Sequence, residues 1–208
     1  MTTGDRAERV GDNGGVSTEP TPAEQPPGPT GSPRPWKLPV LLFGVAAAVL
    51  LLDIATKVAA VAFLEGEVPV ELLGGLVYLD VLRNPGAAFS LGTDFTWLLS
   101  LLAIAVVLGI CWLALKVRST GWAIGLGLVL AGAAGNLVDR IFRAPGPLRG
   151  HVVDMISVLE PGGAFFPVFN VADSAICCGG ALVVLLTVLG RDYDGTVHRK
   201  GGKAEAAS

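Results

Sequence analysis

The sequence predicts an all-α integral membrane protein, a bundle of four transmembrane helices with a small β element on one side. Three observations predict it. Of 208 residues, 51% are hydrophobic and only 16% are charged, with a mean hydropathy of +0.60, more apolar surface than a soluble domain can hide. The apolar residues fall into four runs of about membrane length. The ionisable residues that interrupt those runs gather at one end of the predicted helices. A net charge of -3, with no clustered basic face, argues against a nucleic-acid partner.

Residues 1–37 are rich in Pro, Gly, Thr and Glu and cannot bury enough apolar area to offset the entropy of ordering; they read as a disordered cytoplasmic tail. The first apolar run extends from Leu38 to Leu64, about 27 residues, longer than a signal-peptide core and long enough to span roughly 30 Å of hydrocarbon. Further spans are predicted from Phe95 to Val117, from Trp122 to Ile141 and from Ser174 to Leu189. Residues 38–190 thus form the membrane domain, and 191–208 a second polar, disordered tail. Arg34 and Lys37 precede the first helix, Lys116 and Arg118 separate the second and third, and Arg191, Arg199, Lys200 and Lys203 follow the fourth. This places both termini in the cytoplasm. The segment from Glu65 to Asp94 is then external; Arg140, Arg143 and Arg149, on the same side, break the charge rule and need another explanation.

Trp97, Trp112 and Trp122 stand near predicted helix ends and read as interfacial anchors. Gly121, Gly125, Gly127, Ala131 and Gly135 space small residues along the third helix, so a neighbouring backbone can approach it; that helix belongs at the centre of the bundle. Gly75 to Leu82 and Phe165 to Phe169 are short, β-branched or aromatic, and bounded by Gly and Pro, as strands are. Cys111, Cys177 and Cys178 lack metal or redox spacing and read as small hydrophobes.

An ionisable group at membrane depth costs at least about 2.5 kcal/mol and persists with a partner or a function. Asp53 and Lys57, in DIATK, stand four apart with the acid N-terminal, the favourable order for a helical ion pair. Asn84 lies in RNPGAAFS (83–90), which is turn chemistry. In GNLVDR, Asn136, Asp139 and Arg140 share one helical face, and Arg140 is a permanent cation able to pair with a carboxylate. Asp154 follows two valines in HVVDM; alone it reads as a solvated loop acid. In FNVADS, Asn170 and Asp173 meet the start of the fourth helix, where Asp173 alone reads as an N-cap. The collection is what points to function, because two acids in apolar surroundings, with Asn136, Asn170 and Arg140, map to one side of the membrane.

DIATK, NPGAAF, GNLVDR, VVDM and FNVADS, in this order on four spans, resemble the sequence blocks of the lipoprotein signal peptidases, also called signal peptidase II, over about residues 38–190. The resemblance implies a four-helix membrane bundle with a β cradle on the outer face. It implies an intramembrane aspartic endopeptidase of the bacterial plasma membrane, working near the extracytoplasmic surface on diacylglyceryl-modified prolipoproteins and cutting before the lipidated cysteine. Asp154 and Asp173 would be catalytic; Asn84, Asn136, Asp139, Arg140 and Asn170 would support or line the site; Asp53 and Lys57 read as a structural ion pair. Membrane lipids would be further partners, and the enzyme is expected as a monomer. Met155 stands where the family usually carries Phe, and FRAPGPLRG, 142–150, is longer than usual.

Two aspartates hydrolyse a peptide by sharing one proton, since like charges a few Å apart do not both ionise. No covalent intermediate, metal or cofactor is required, and a coupled pair titrates as a unit, leaving open which aspartate is the base. Two other classes compete. A small transporter would also place acids in the membrane, but four spans, no inverted repeat and acids grouped at one surface oppose it. A serine-lysine peptidase would draw on Lys57, Ser90 and Ser174, yet no serine carries a nucleophile motif.

Overall fold

The computed structural model describes residues 37–86 and 95–198. Both polar tails up to Trp36 and from Arg199, and the second half of RNPGAAFS with Ser90, lie outside the described residues.

Four helices are long and apolar enough to cross a membrane. We number them α1 (Lys37–Leu64), α2 (Thr96–Ala114), α3 (Thr120–Phe142) and α4 (Val171–Val188). The apolar runs form helices because each is built almost wholly from Leu, Ala, Val and Ile, and a chain in hydrocarbon must satisfy its N–H and C=O groups within the segment. Their outer faces keep large apolar side chains uncovered, such as Leu51, Leu108 and Val184, as a lipid-facing surface does. Two boundaries differ by three residues from the sequence expectation. α2 stops at Ala114; the backbone N–H of Arg118, beyond it, bonds to the Tyr193 carbonyl instead. α4 starts three residues before Ser174, because Asn170 caps it.

α3 is the central helix and packs against α1, α2 and α4. Its glycines permit this. A Cβ on Gly135 would stand 2.5 Å from Asp53 Oδ2 of α1, closer than any real contact, so only Gly lets the two helices meet there. One end of the bundle is an apolar core in which Leu42, Ala114, Val117, Ala123 and Leu130 interlock. The opposite end holds the buried polar residues.

At that polar end lies a three-stranded antiparallel sheet of β1 (Val70–Leu72), β2 (Val77–Asn84) and β3 (Val152–Val158), in the order β1-β2-β3. β2 contains most of the predicted Gly75 to Leu82 strand. The second predicted strand is corrected: Phe165 to Phe169 contributes a single bridge, Phe169 opposite Ile156, and the ladder partner of β2 is β3, with Leu82 opposite Asp154 and Asn84 opposite Val152. Pro167 removes a ladder donor from the aromatic segment, while β3 (VVDMISV) is nearly continuous and β-branched, as a strand buried on both faces is.

The long 142–150 loop is tied down. Gly150 N–H donates to the Arg140 carbonyl at 3.0 Å, and the Ser100 hydroxyl of α2 donates to the Leu148 carbonyl at 2.7 Å. A Cβ on Gly150 would sit 2.9 Å from the Arg143 carbonyl oxygen; glycine here lets the chain fold back over the end of α3 and enter β3. Met155 fills the place of the expected Phe as a buried side chain. Beyond α4, Gly190 to His198 turn back toward the α2–α3 connection, with Trp122 Nε1 donating to the Arg191 carbonyl at 2.8 Å.

Candidate active site

The described polar residues singled out by the sequence sit at the same end of the bundle, brought there by several elements. Asp154 comes from β3 and is 1% exposed, a correction to its reading as a solvated loop acid. Asp173 comes from the first turn of α4. The cap of that helix is Asn170, another correction: its side-chain oxygen accepts from the Asp173 N–H at 2.9 Å, and the Asp173 carboxylate accepts in return from the Asn170 N–H at 3.1 Å. This is a capping box with an Asp in the third helical position. Asn170 Nδ2 also donates to Asp154 Oδ1 at 2.7 Å. One asparagine therefore touches both carboxyls and sets the strand against the helix.

The remaining asparagines complete the arrangement. Asn84, at the end of β2, donates to Asp154 Oδ2 at 2.9 Å, and its own oxygen accepts from Gly86 N–H at 2.9 Å, the side-chain turn that the Asn-Pro-Gly pattern predicts. Asn136 of α3 donates to Asp173 Oδ1 at 2.8 Å. Among the described residues no cation stands within ion-pairing distance of either carboxyl. Burial first, and the Asp173 charge second, push the Asp154 carboxyl up to about 7, against the donations of Asn84 and Asn170. A carboxyl poised there is protonated or ionised with comparable ease at neutral pH, as proton transfer in both directions requires.

Behind the site lies a second cluster. Lys57 is 1% exposed; its ammonium lies 2.9 Å from Asp53 Oδ2, 3.1 Å from Asp139 Oδ2 and 3.0 Å from Asn136 Oδ1. The expected pair of Asp53 and Lys57 is present, and the structure enlarges it. Asp53 Oδ1 accepts from Ala172 N–H at 2.9 Å, pinning the start of α4, while Asp139 accepts from Val153 N–H at 3.1 Å, pinning β3 one residue before Asp154.

Arg140 does not meet the expected carboxylate. Among the described residues its bonds run to the Gly86 carbonyl at 2.6 Å and, more loosely, the Pro85 carbonyl at 3.4 Å, so it closes the turn after β2. Arg143 pairs with Asp139. These structural duties explain two of the three arginines that break the charge pattern. Of the serine-lysine candidates, Ser174 donates to the Asn170 carbonyl, Lys57 is engaged with Asp53, Asp139 and Asn136, and Ser90 lies outside the described residues. Among the described residues no three His, Cys, Asp or Glu side chains are grouped to hold a metal ion.

Asp154 and Asp173 lie at the polar head of a groove of about 730 Å³. Its long wall is apolar, from Leu99, Leu102 and Val106 of α2, Val129 and Ala133 of α3, and Ile176 and Cys177 of α4. Sequence reasoning missed this wall, since residues on three helices form it and none carries a polar signal.

Four membrane-length helices around a carboxyl pair at the head of an apolar groove define a multi-pass membrane enzyme. The family model for signal peptidase (SPase) II matches residues 45–189. The lipoprotein signal peptidase of Rhodococcus jostii is 52% identical over 83% of this chain and 86% of its own, and that of Mycobacterium tuberculosis (strain H37Rv) is 50% identical over 83% of each. A bacterial membrane enzyme solved in meso at 2.3 Å resolution superposes with a TM-score of 0.61, at 25% identity, over 71% of this chain and 87% of that one. The chain belongs to the signal peptidase II family, and it is accordingly a bacterial membrane protease.

Proposed function

We propose that this protein is an aspartic endopeptidase that removes the signal peptide from diacylglyceryl-modified prolipoproteins, cutting on the N-terminal side of the lipidated cysteine. The observation that carries the reading is that Asp154 and Asp173, with only amide donors around them among the described residues, share Asn170 at the head of an apolar groove. One carboxylate takes a proton from water; the water oxygen bonds to the scissile carbonyl carbon, and the protonated partner donates to the carbonyl oxygen. The tetrahedral intermediate collapses as the C–N bond breaks and the amine leaves with a proton. No residue is covalently modified, and no metal or cofactor enters.

The groove suits the substrate. An apolar signal helix lies along α2, α3 and α4, its diacylglyceryl chains remain in lipid, and the scissile bond meets the carboxyls. Asn84, Asn136 and Asn170 orient the dyad, and Arg140 shapes the turn beside it. We place both termini in the cytoplasm and the sheet and site at the extracytoplasmic face. Lys37, Lys116, Arg118 and Arg191 mark the apolar-core end of the bundle, whereas at the other end Arg83 and Arg143 are paired with Glu65 and Asp139 and Arg140 is hydrogen-bonded to backbone carbonyls. The domain reading follows: a peptidase domain over 38–190 flanked by cytoplasmic tails, acting as a monomer among membrane lipids.

A gel-shift cleavage assay tests it, with purified protein and a diacylglyceryl-modified prolipoprotein, and with Asp154→Asn and Asp173→Asn variants of unchanged thermal stability. Wild type should cut before the modified cysteine while both variants are inactive. Full activity in either variant would remove the dyad.

A further inference from the structure

The charge cluster behind the site touches the site at one point. Lys57 Nζ donates to Asn136 Oδ1 at 3.0 Å, and Asn136 Nδ2 donates to Asp173 Oδ1 at 2.8 Å. An amide side chain has one acceptor end and one donor end, and an ammonium only donates. Lys57 therefore fixes which end of Asn136 faces Asp173: with the ammonium on the oxygen, the NH2 group must point at the carboxylate. Asn170 Nδ2 reaches the same Asn136 oxygen at 3.2 Å and enforces the same orientation. Asp173 also accepts from Asn170 N–H within the first turn of α4, where the helix dipole favours negative charge. Asp154 lies on a strand, not at a helix terminus, and among the described residues its donors are the Asn84 and Asn170 amides, with no single amide bridging it to Lys57.

We propose that Lys57 is a positioning residue for the reaction: through Asn136 it holds Asp173 as the carboxylate that deprotonates water, and so assigns the shared proton to Asp154. This rests on the dyad reading and resolves an asymmetry within it. The charged groups bearing on the dyad from the packed elements are Asp53 and Lys57 of α1, Asp139 and Arg140 of α3, Asp154 of β3 and Asp173 of α4.

The inference predicts a particular kinetic signature. Lys57→Met alone leaves Asp53 and Asp139 buried with less countercharge and is expected to fold poorly, so the informative variant is Lys57→Gln with Asp53→Asn, which removes one positive and one negative charge together and keeps hydrogen-bonding groups in place. This double variant should fold, lower kcat by about 100-fold, a typical loss when proton transfer is misaligned, leave KM nearly unchanged, and alter the pH profile. Lys57→Arg should recover part of kcat. Leu42→Ala, which opens a cavity in the apolar core, is the stability control: its Tm falls while kcat holds. A folded double variant with wild-type kcat and pH profile overturns the inference, as does a loss confined to KM. Should the double variant not fold, infrared difference spectra decide. The protonated-carboxyl band at neutral pH should persist in Asp173→Asn and vanish in Asp154→Asn; the reverse assigns the proton to Asp173 and overturns it. If instead Asp154→Asn or Asp173→Asn cleaves normally, the dyad itself fails, a result distinct from either of these.

Discussion

Two acid clusters lie side by side at one end of the bundle, and they are built on opposite principles. Asp53 and Asp139 both lie within 3.1 Å of the Lys57 ammonium, and Asp139 has Arg143 as well. Among the described residues Asp154 and Asp173 meet only amides, from Asn84, Asn136 and Asn170. A cation at contact offsets the burial of a carboxylate and lets it hold elements together; a buried carboxyl with a second carboxyl nearby and neutral donors around it favours its protonated form. The first cluster pins α4 and β3 by their backbone N–H groups, and the second uses the geometry thus fixed. Position along the bundle does not separate the two clusters; countercharge does.

The sharpest way to break this contrast is to neutralise each cluster in turn. Asp154→Asn and Asp173→Asn should each lower the cleavage rate by about 1,000-fold or more, the upper range for loss of a general acid or base, with a retained fold, measured by the prolipoprotein assay and thermal unfolding. Lys57→Met should do the reverse in kind. Stripping the cation from two buried acids costs about 3–5 kcal/mol, so the yield of folded protein collapses, as size-exclusion chromatography would reveal. Equal thermal stability of Lys57→Met and wild type would erase the distinction between the clusters.

Asn170→Ala strikes the link between helix and strand. It removes an N-cap worth about 1 kcal/mol and the amide held by Asp154, so both Tm and kcat should fall. With Asp154 titrating near 7, kcat/KM should decline above about pH 7, tenfold per unit in the limit, as Asp154 loses its proton. The same shift carries a sign for stability. The folded pKa of Asp154 lies above its unfolded value of about 4, so the stability contributed by the protonated group is full at low pH and is lost as pH rises through about 7. Asp154→Asn should therefore gain in Tm relative to wild type between pH 5 and pH 8, by about 5–10 °C. The smallest effect is expected at the exposed Arg83–Glu65 pair, where two bonds of 2.7 and 2.8 Å tie β2 to the end of α1. Arg83→Gln should cost under about 1 kcal/mol and leave cleavage unchanged.

Much of this was legible along the chain. The four spans are read from apolar length alone, and the central place of α3 from its glycines, because lipid imposes length and close packing imposes small residues. Asp154 and Asp173 stood out as acids in apolar surroundings. The capping role of Asn170 was not legible, since Asn170 and Asp173 are both good N-terminal residues and only the backbone conformation at Asn170, extended at φ -132°, separates cap from first turn. Nor was β3: a strand buried on both faces has no alternation to reveal it, and the aromatic run at Phe165 to Phe169 offered the more conventional signal.

By itself, then, the sequence determined how many times the chain can cross a membrane, which residues break the apolar pattern, and the family to which their spacing belongs, because these depend on composition and order along one strand of chain. Only the tertiary structure decided which acid faces a cation and which faces an amide. Lys57 and Asn136 are 79 residues apart, and Asn84 and Asp154 are 70. The charge state of a buried carboxyl depends on what stands within a few Å of it, and across such separations only packing brings those partners into contact.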